Sequence, residues 1–314
     1  MVSSIRMNQS NWQSFRREVP GEIMKTDILC EVIYPAGADQ LASDSLDTAI
    51  AMMRDFEARY SRFRRDNDLF AFNQSTEIQV TPEFFHLLQT ILTLHQETEG
   101  IFDPSILPAL EEAGYSSIPY QEHILRTATL SALTLDPETL TARKPRDLIL
   151  DLGGIGKGYI VDQVARFLHA RFAHVLVDAG GDIVVHGENI IEHYPYWAIE
   201  VEHPLPGHTA PLLTLRDMAV ATSGSNRRHW IKDDVHRHHL IDPATDTSAD
   251  SDLITVTVVA PTATIADVWA KTLYIAGSEK GQALAAKHAL PALFIHQTGT
   301  VTINSHAEPY VWKP

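Results

Sequence analysis

The period at which hydrophobic residues recur along this chain changes several times, and each change predicts an element. Met24 to Tyr34 (MKTDILCEVIY) is apolar and β-branched and runs into Pro35-Ala36-Gly37, which predicts a strand and its end. Between Ser43 and Phe63, Leu46, Ile50, Met53, Phe56 and Tyr60 return at helical spacing, so a long amphipathic helix is expected there. The run SRFRRDNDLFAFNQ breaks that period, and Asn73 reads as the start of a turn. A second helix is predicted from Thr81 to Thr98, with Phe84, Leu87, Leu88, Ile91 and Leu94 as its buried stripe and Gly100 as its stop. Residues 1–23 show no comparable period and read as a polar leader that Trp12 and Phe15 would hold to the body. Residues 114–150 read as a β-rich excursion with loops.

The most structured stretch runs from Asp147 to Leu168 (DLILDLGGIGKGYIVDQVARFL). Ile149, Leu150 and Leu152 predict the end of a buried strand, and Gly153, Gly154, Gly156 and Gly158 follow. Tyr159, Val161, Val164, Ala165 and Leu168 then mark a helix face. Strand, glycine turn and helix together bring backbone N–H groups and a helix N-terminus up to a phosphate, and Lys157 adds a positive charge. The same glycines also suit a tight structural corner. GGIGKG has neither Walker A spacing nor the dinucleotide-binding GxGxxG with its distant acid.

Beyond it, HVLVDAGGDIVVHG predicts two strands about a turn at Ala179 to Asp182, and YWAIEVEHP predicts another strand. MAVATSGSNRRHW ends in a small, polar turn. Leu253 to Val259 is strongly β-branched, Thr264 to Leu273 begins a helix, and PALFIHQTGTVTIN reads as a hairpin turning at Thr298-Gly299. Helices and strands mix without regular βα alternation, no repeat is visible, and the expected class is α+β.

Composition narrows the function. The chain has 314 residues with 44% hydrophobic positions, enough for one large domain or two joined lobes. A formal charge of −15 without any Lys/Arg cluster argues against nucleic acid as a partner. Cys30 is the single cysteine, which excludes an internal disulfide and a cysteine metal site. Residues 1–23 contain no apolar signal core, and no later run is long enough for a bilayer. A soluble, cytoplasmic protein without membrane insertion is expected.

Polar residues cluster where elements end: Asp103, Asp151, Lys157, Asp182, Ser223, His239, Asp242 and Asp267. Each has an ordinary reading as well. Asp103 and Asp242 precede proline and suit turns, Asp182 suits a Gly-Gly turn, and Asp267 suits a helix dipole. His236 and His238 alternate along one extended segment and would share a face toward zinc, but no HExxH or spaced partner accompanies them. Ser223 lies in TSGS, outside a nucleophile elbow. Of the three histidines in HRHH, His239 precedes apolar residues and is the one expected in a cleft.

The order of the segments is more specific than any of them. FDPS, DLGGIGKGYIVD, DAGGDIVVHG, ATSGSNRR, HHLIDPATD and ADVWAKTLYIAG follow one another as they do in the ApbE-type family of FAD:protein FMN transferases, which the chain resembles from Met24 onward. The resemblance implies two closely joined mixed α/β lobes with a flavin-binding cleft between them. It also implies FAD bound there with divalent metal, Mg²⁺, at the pyrophosphate. Such enzymes move FMN onto a Thr or Ser hydroxyl of an acceptor protein and release AMP. By position, Met24, Ile101, Phe102, Asp103, Asp151, Lys157 and Leu240 would contact FAD. Asp182 with Thr222, Ser223 and Gly224 would shape the cleft floor. The Gly154 carbonyl and Asp267 carboxylate would hold the metal. His239 would be the general base, with Asp242 orienting its loop.

Two positions depart from the family's pattern. The loop usually written DPxTG is DPATD here, so Asp246 stands where glycine would adopt a left-handed conformation. The helix motif DxxxT is Asp267 to Lys271, so a lysine without a lone pair takes the place of the threonine ligand. Lys271 either swings away from the metal, replaces it between Asp267 and the pyrophosphate, or forms an exposed i,i+4 ion pair with Asp267. Three activities fit the resemblance: flavinylation of a protein, hydrolysis of FAD to FMN and AMP, and FAD binding without catalysis.

Overall fold

A computed structural model describes residues 11–115 and 127–313. Strand β1 (Trp12–Ile23) turns into β2 (Thr26–Pro35), and helices α1 (Asp39–Tyr60) and α2 (Asp68–Gln74) follow. Then come β3 (Glu77–Gln79), α3 (Pro82–Glu97), α4 (Leu107–Glu112), β4 (Thr134–Asp136), β5 (Thr141–Arg143) and α5 (Gly156–His169). Two hairpin arms, β6 (His174–Ala179) with β7 (Asp182–His186) and β8 (Trp197–Glu200) with β9 (Leu212–Leu215), lead to β10 (Met218–Gly224). Short strands β11 (His229–Lys232), β12 (Val235–His238), β13 (Ile241–Asp242) and β14 (Thr247–Ser248) precede β15 (Leu253–Ala260). The chain closes with α6 (Ala263–Lys287), β16 (Ala292–His296) and β17 (Val301–Ile303).

One eight-stranded sheet, ordered β1-β2-β6-β7-β10-β15-β16-β17, carries the architecture, and every pairing in it is antiparallel. Its centre is covered on both sides. Helices α1 and α5 bury Leu46, Met53, Val161 and Val164 against Cys30, Val32, Val175 and Val177. The next part of the same layer is α6, whose Trp269, Ala270 and Leu273 pack on Val256, Val258 and Phe294. On the opposite face, Trp197, Ile199, Leu213 and Leu215 of β8 and β9 cover Ile33, Val185, Val220 and Val259. Burial on both faces explains why β2 and β15 read as continuous apolar runs rather than alternating ones. The class is α+β, as expected, and both helical lobes rest on the same sheet. Among the described residues no helix is long and apolar enough to cross a membrane.

Several elements differ from the sequence expectation for local reasons. Residues 12–23, expected as a polar leader held to the body by Trp12 and Phe15, form a strand, β1, paired with β2 from Trp12↔Pro35 to Ile23↔Thr26. As an edge strand it needs backbone pairing more than a two-sided apolar pattern, so its polar composition hid it. Asn73 does not start a turn. It is buried inside α2, which Asn67 caps by accepting from the Phe70 N–H. The segment before the glycines joins no strand either, because Asn73 takes the place of a neighbour: its side chain exchanges two hydrogen bonds, each 2.9 Å, with the N–H and C=O of Leu150. The β-rich excursion yields β4 and β5, which pair with each other, β5 also pairing with β3, while residues 116–126 of it lie outside the described residues. Asp246 is in the left-handed conformation at φ 54°, the geometry expected of the substituted glycine.

Candidate active site

A cavity of about 560 Å³ opens where the β1–β2 turn, the segment after α3, the start of α5, the β6–β7 turn, the end of β10 and the middle of α6 meet. Such a volume lies within the range of small-molecule sites. Ile101, Phe102, Asp103, Asp151, Gly154, Lys157, Thr222, Ser223, Gly224, His239, Leu240, Asp267 and Lys271 all line it. Asp182 lies directly behind the wall, 1% exposed, and holds Lys157 through a 2.5 Å ion pair. Met24 and Asp242 are not in the wall. Met24 has φ 52°, donates its N–H to the Glu57 carboxylate at 2.9 Å, and packs its side chain on the α1 core. Asp242 organises the β13–β14 turn by accepting from the Ala244 N–H at 2.9 Å. Its backbone carbonyl receives the N–H groups of Thr245 and Asp246.

The glycine-rich stretch serves packing as much as the cleft. A Cβ on Gly158 would lie 2.6 Å from the Ala263 carbonyl oxygen, so α5 and α6 approach closer than any side chain allows. Asp162, one turn further along α5, accepts from the Ala263 N–H at 2.7 Å, the Thr264 N–H at 2.9 Å and the Thr264 hydroxyl. It thereby satisfies two N–H groups that the start of a helix leaves open. Burial outweighs those bonds and holds the Asp162 carboxyl above its ordinary range. The result is a rigid junction that fixes Lys157, on α5, relative to Asp267 and Lys271, on α6. Burial works against the charge on Lys157, but the carboxylates of Asp182 and Asp267 prevail and hold its pKa above the ordinary value. Asp182 is pushed up to about 6 by burial first and by Asp267 second, with Lys157 opposing.

Lys271 and Asp267 are 9% and 5% exposed, so the exposed ion-pair reading of this departure does not hold. The ammonium lies 2.5 Å from Asp267 Oδ1 and 3.0 Å from the Asp267 carbonyl. Its stem runs past Gly154, where an added Cβ would sit 3.6 Å from Lys271 Cε. Asp267 Oδ2 is buried without a partner among the described residues, and with the Gly154 carbonyl it is the remaining oxygen of the expected metal set. Two donors plus phosphates would suffice for Mg²⁺ by number. Charge decides otherwise. A divalent ion about 4 Å from the ammonium would be repelled by roughly 8 kcal/mol at an effective dielectric of 20. The Asp267 carboxylate that would attract it is already neutralised by that ammonium, so the pair offers the ion no net charge. The residues present do not fit a divalent ion at this position.

His239 and His238 are separated by their surroundings. His238 bonds the Ala249 carbonyl through Nε2 at 3.0 Å and meets the Tyr274 ring edge-on. His239 lines the cavity, and its Nδ1 faces the Arg228 carbonyl at a long 3.4 Å. A carbonyl only accepts, so Nδ1 carries the proton and Nε2 keeps the lone pair. Burial, then the Arg228 charge, pushes the His239 pKa down to about 3, which leaves the ring neutral. Sequence reasoning missed the groups around it. Tyr115 stacks on His239 with ring centroids 6.2 Å apart, the Arg62 guanidinium lies 4.8 Å from the centre of the Tyr115 ring, and Arg228 reaches the Tyr115 hydroxyl at 3.4 Å. Arg62 lies 3.7 Å from Asp151 and leaves its buried Nη2 unpartnered among the described residues. The RR of ATSGSNRR was the available signal for Arg228. Nothing in sequence spacing points to Arg62 or Tyr115.

With this geometry in hand, the relationships are plain. The sequence profile of the ApbE family matches residues 24–294, and the chain belongs to that family. An FAD:protein FMN transferase of Haemophilus influenzae is 31% identical over 280 residues, covering 82% of this chain and 80% of that protein. One from Vibrio cholerae is 29% identical over 272 residues, with 82% and 80% covered. The crystal structure of an ApbE protein from Thermotoga maritima superposes with a TM-score of 0.84 at 21% identity, covering 96% of this chain and all (100%) of that one. The flavin transferase ApbE from Vibrio cholerae superposes at 0.81 with 25% identity, covering 95% and 100%.

Proposed function

We propose that this protein binds FAD in the cleft and transfers its FMN half to a Thr or Ser hydroxyl of an acceptor protein, releasing AMP. The observation that carries this reading is convergence: His239, Asp103, Asp151, Lys157, Ser223 and Lys271, drawn from distant parts of the chain, line one cavity. Two further groups suit a polar ligand. The Thr255 hydroxyl lines the cavity, buried and without a partner among the described residues. Arg228 faces the same space, where its guanidinium donates to the Tyr115 hydroxyl at 3.4 Å.

In this reading the acceptor oxygen forms a bond to the flavin-side phosphorus while the bond from that phosphorus to the bridging oxygen breaks. AMP leaves with the bridging oxygen. The hydroxyl proton passes to Nε2 of His239, whose tautomer Arg228 sets. A neutral ring with a pKa near 3 is by itself a weak base. An anionic diphosphate beside it offsets the Arg228 charge and raises its basicity. Lys157, Lys271 and Arg228 neutralise charge on the phosphoryl oxygens, the main task in such a transfer. Asp182 and Asp267 hold the two lysines in place.

Incubation with FAD, with and without an acceptor peptide carrying Thr or Ser, tests the proposal. AMP release that depends on the peptide, with a peptide mass increase equal to an FMN phosphoester, is the expected result. AMP release without peptide would make the protein a hydrolase, and tight FAD binding without turnover would make it a carrier.

A further inference from the structure

We infer that Lys271 is the fixed cation that receives the FAD diphosphate, in the place of a divalent ion; the inference rests on the reading that the cleft takes FAD. Four observations converge on it. Lys271 sits one helical turn from Asp267 on the face of α6 that lines the cavity, and both side chains are buried there. An ammonium has three N–H donors. Two are spent on Asp267, at Oδ1 and at the backbone carbonyl, and among the described residues the third has no protein partner. The lysine stem runs along Gly154, its Cε 3.6 Å from where a Cβ would stand, at ordinary contact distance, which seats it against the glycine-rich turn of the cleft. Finally, Lys157 repeats the arrangement on α5, tied to buried Asp182, and the Asp162 junction locks the two helices together. The floor therefore presents two ammonium groups, each backed by a buried carboxylate, to a ligand with two adjacent phosphates.

A purely structural ion pair would be an expensive way to fill this space, because two buried charges lose their hydration for little net gain. An ammonium with an open donor in a cavity wall is instead prepared for an anion, and the short contact with Asp267 keeps it aimed. A charge-assisted bond of this kind to phosphate is among the stronger polar contacts a site can make. No ion has to bind before FAD does, so affinity in the cleft should not follow the divalent-cation concentration.

The test is a fluorescence titration of the metal-stripped, full-length protein with FAD, in EDTA and again in millimolar Mg²⁺, for the wild type and for Lys271→Thr. Circular dichroism establishes that the variant is folded. The wild-type dissociation constant is expected to change by less than about threefold between the two conditions, while Lys271→Thr should bind FAD at least about tenfold more weakly in EDTA and recover with Mg²⁺. Wild-type binding that Mg²⁺ tightens by threefold or more overturns the inference. So does a folded Lys271→Thr protein that binds FAD in EDTA as tightly as the wild type. If the variant does not fold, the wild-type comparison decides alone. Absence of saturable FAD binding to the wild type in either condition would instead remove the reading of the cleft as an FAD site.

Discussion

Gly158→Ala probes how closely α5 and α6 must be seated for the cleft to keep its shape. The new Cβ would lie 2.6 Å from the Ala263 oxygen, 2.8 Å from its carbonyl carbon and 2.9 Å from Thr264 Cα. All three are backbone atoms, so no side-chain rotation relieves the contact. Reaching ordinary contact near 3.4 Å requires the helices to part locally by about 0.8 Å. Two effects compete. Alanine is the better helix former, by at most about 1 kcal/mol and by less here, because Gly158 is only the third residue of α5. Overpacking costs about 1–3 kcal/mol, and a rigid backbone wall on the far side puts this site at the upper end. The clash wins, with a net loss of about 2 kcal/mol and a melting temperature lower by a few degrees. The parting also strains the Asp162 bonds to Ala263 and Thr264 and displaces Lys157 from Asp267 and Lys271. FAD affinity should therefore fall together with stability. Thermal unfolding and FAD titration on the same preparation check this. A variant as stable as the wild type, binding FAD equally well, would show that the junction yields freely and that its tightness does not shape the site.

Two further outcomes are expected. His239→Ala should leave FAD binding largely intact and lower acceptor-dependent AMP release about 10²–10⁴-fold, the contribution of a positioned proton acceptor, while His238→Ala should do much less; turnover assays in which His238→Ala is the more damaging change would reverse the assignment. The depressed pKa of His239 also has a stability consequence. The folded group resists protonation down to about pH 3 while the unfolded one protonates near 6.5, so its contribution is fully present above about 6.5 and is lost as the pH falls toward 3. Between pH 6.5 and 5 denaturant unfolding should show the wild type losing stability relative to His239→Gln by roughly 1 kcal/mol per pH unit, and parallel curves for the two proteins would refute the buried neutral ring.

Much of the fold was legible because burial imposes periods. The stripe of Leu46, Ile50, Met53 and Phe56 gave α1 its core face, although the helix starts at Asp39 rather than Ser43. The apolar run of β15 and the paired glycines between β6 and β7 were equally direct. What escaped was structure held by single polar residues. Asn73 makes its bonds to Leu150 across 77 positions, and no local pattern announces that. Edge strand β1 satisfies its backbone against one neighbour and so keeps a polar sequence. In the cleft, the motif residues were readable by order and spacing, and all but Met24, Asp182 and Asp242 line the wall. Tyr115 and Arg62 were not readable, because their role depends on which ring and which carboxylate the fold brings to them. Lys271 was visible as a departure in sequence. Its burial against Asp267 required the structure.

The way the sheet is wired has a consequence for how the protein comes into being. Strand β2 has no partner on its inner side until β6 arrives, as the pairing of Ile28 with Ala179 shows. That separation, roughly 150 residues, is the kind of long-range closure that slows folding. The cleft inherits the same delay at larger scale. Its rim includes the β1–β2 turn near one end of the chain and Asp267 and Lys271 near the other. A ribosome that has produced the first five helices has made two of the eight strands of the central sheet and only part of the pocket wall. Ligand therefore cannot act as a template for early folding. It can only select and retain chains in which α6 has already docked on the sheet, so that uptake of ligand reports the late closure of the fold.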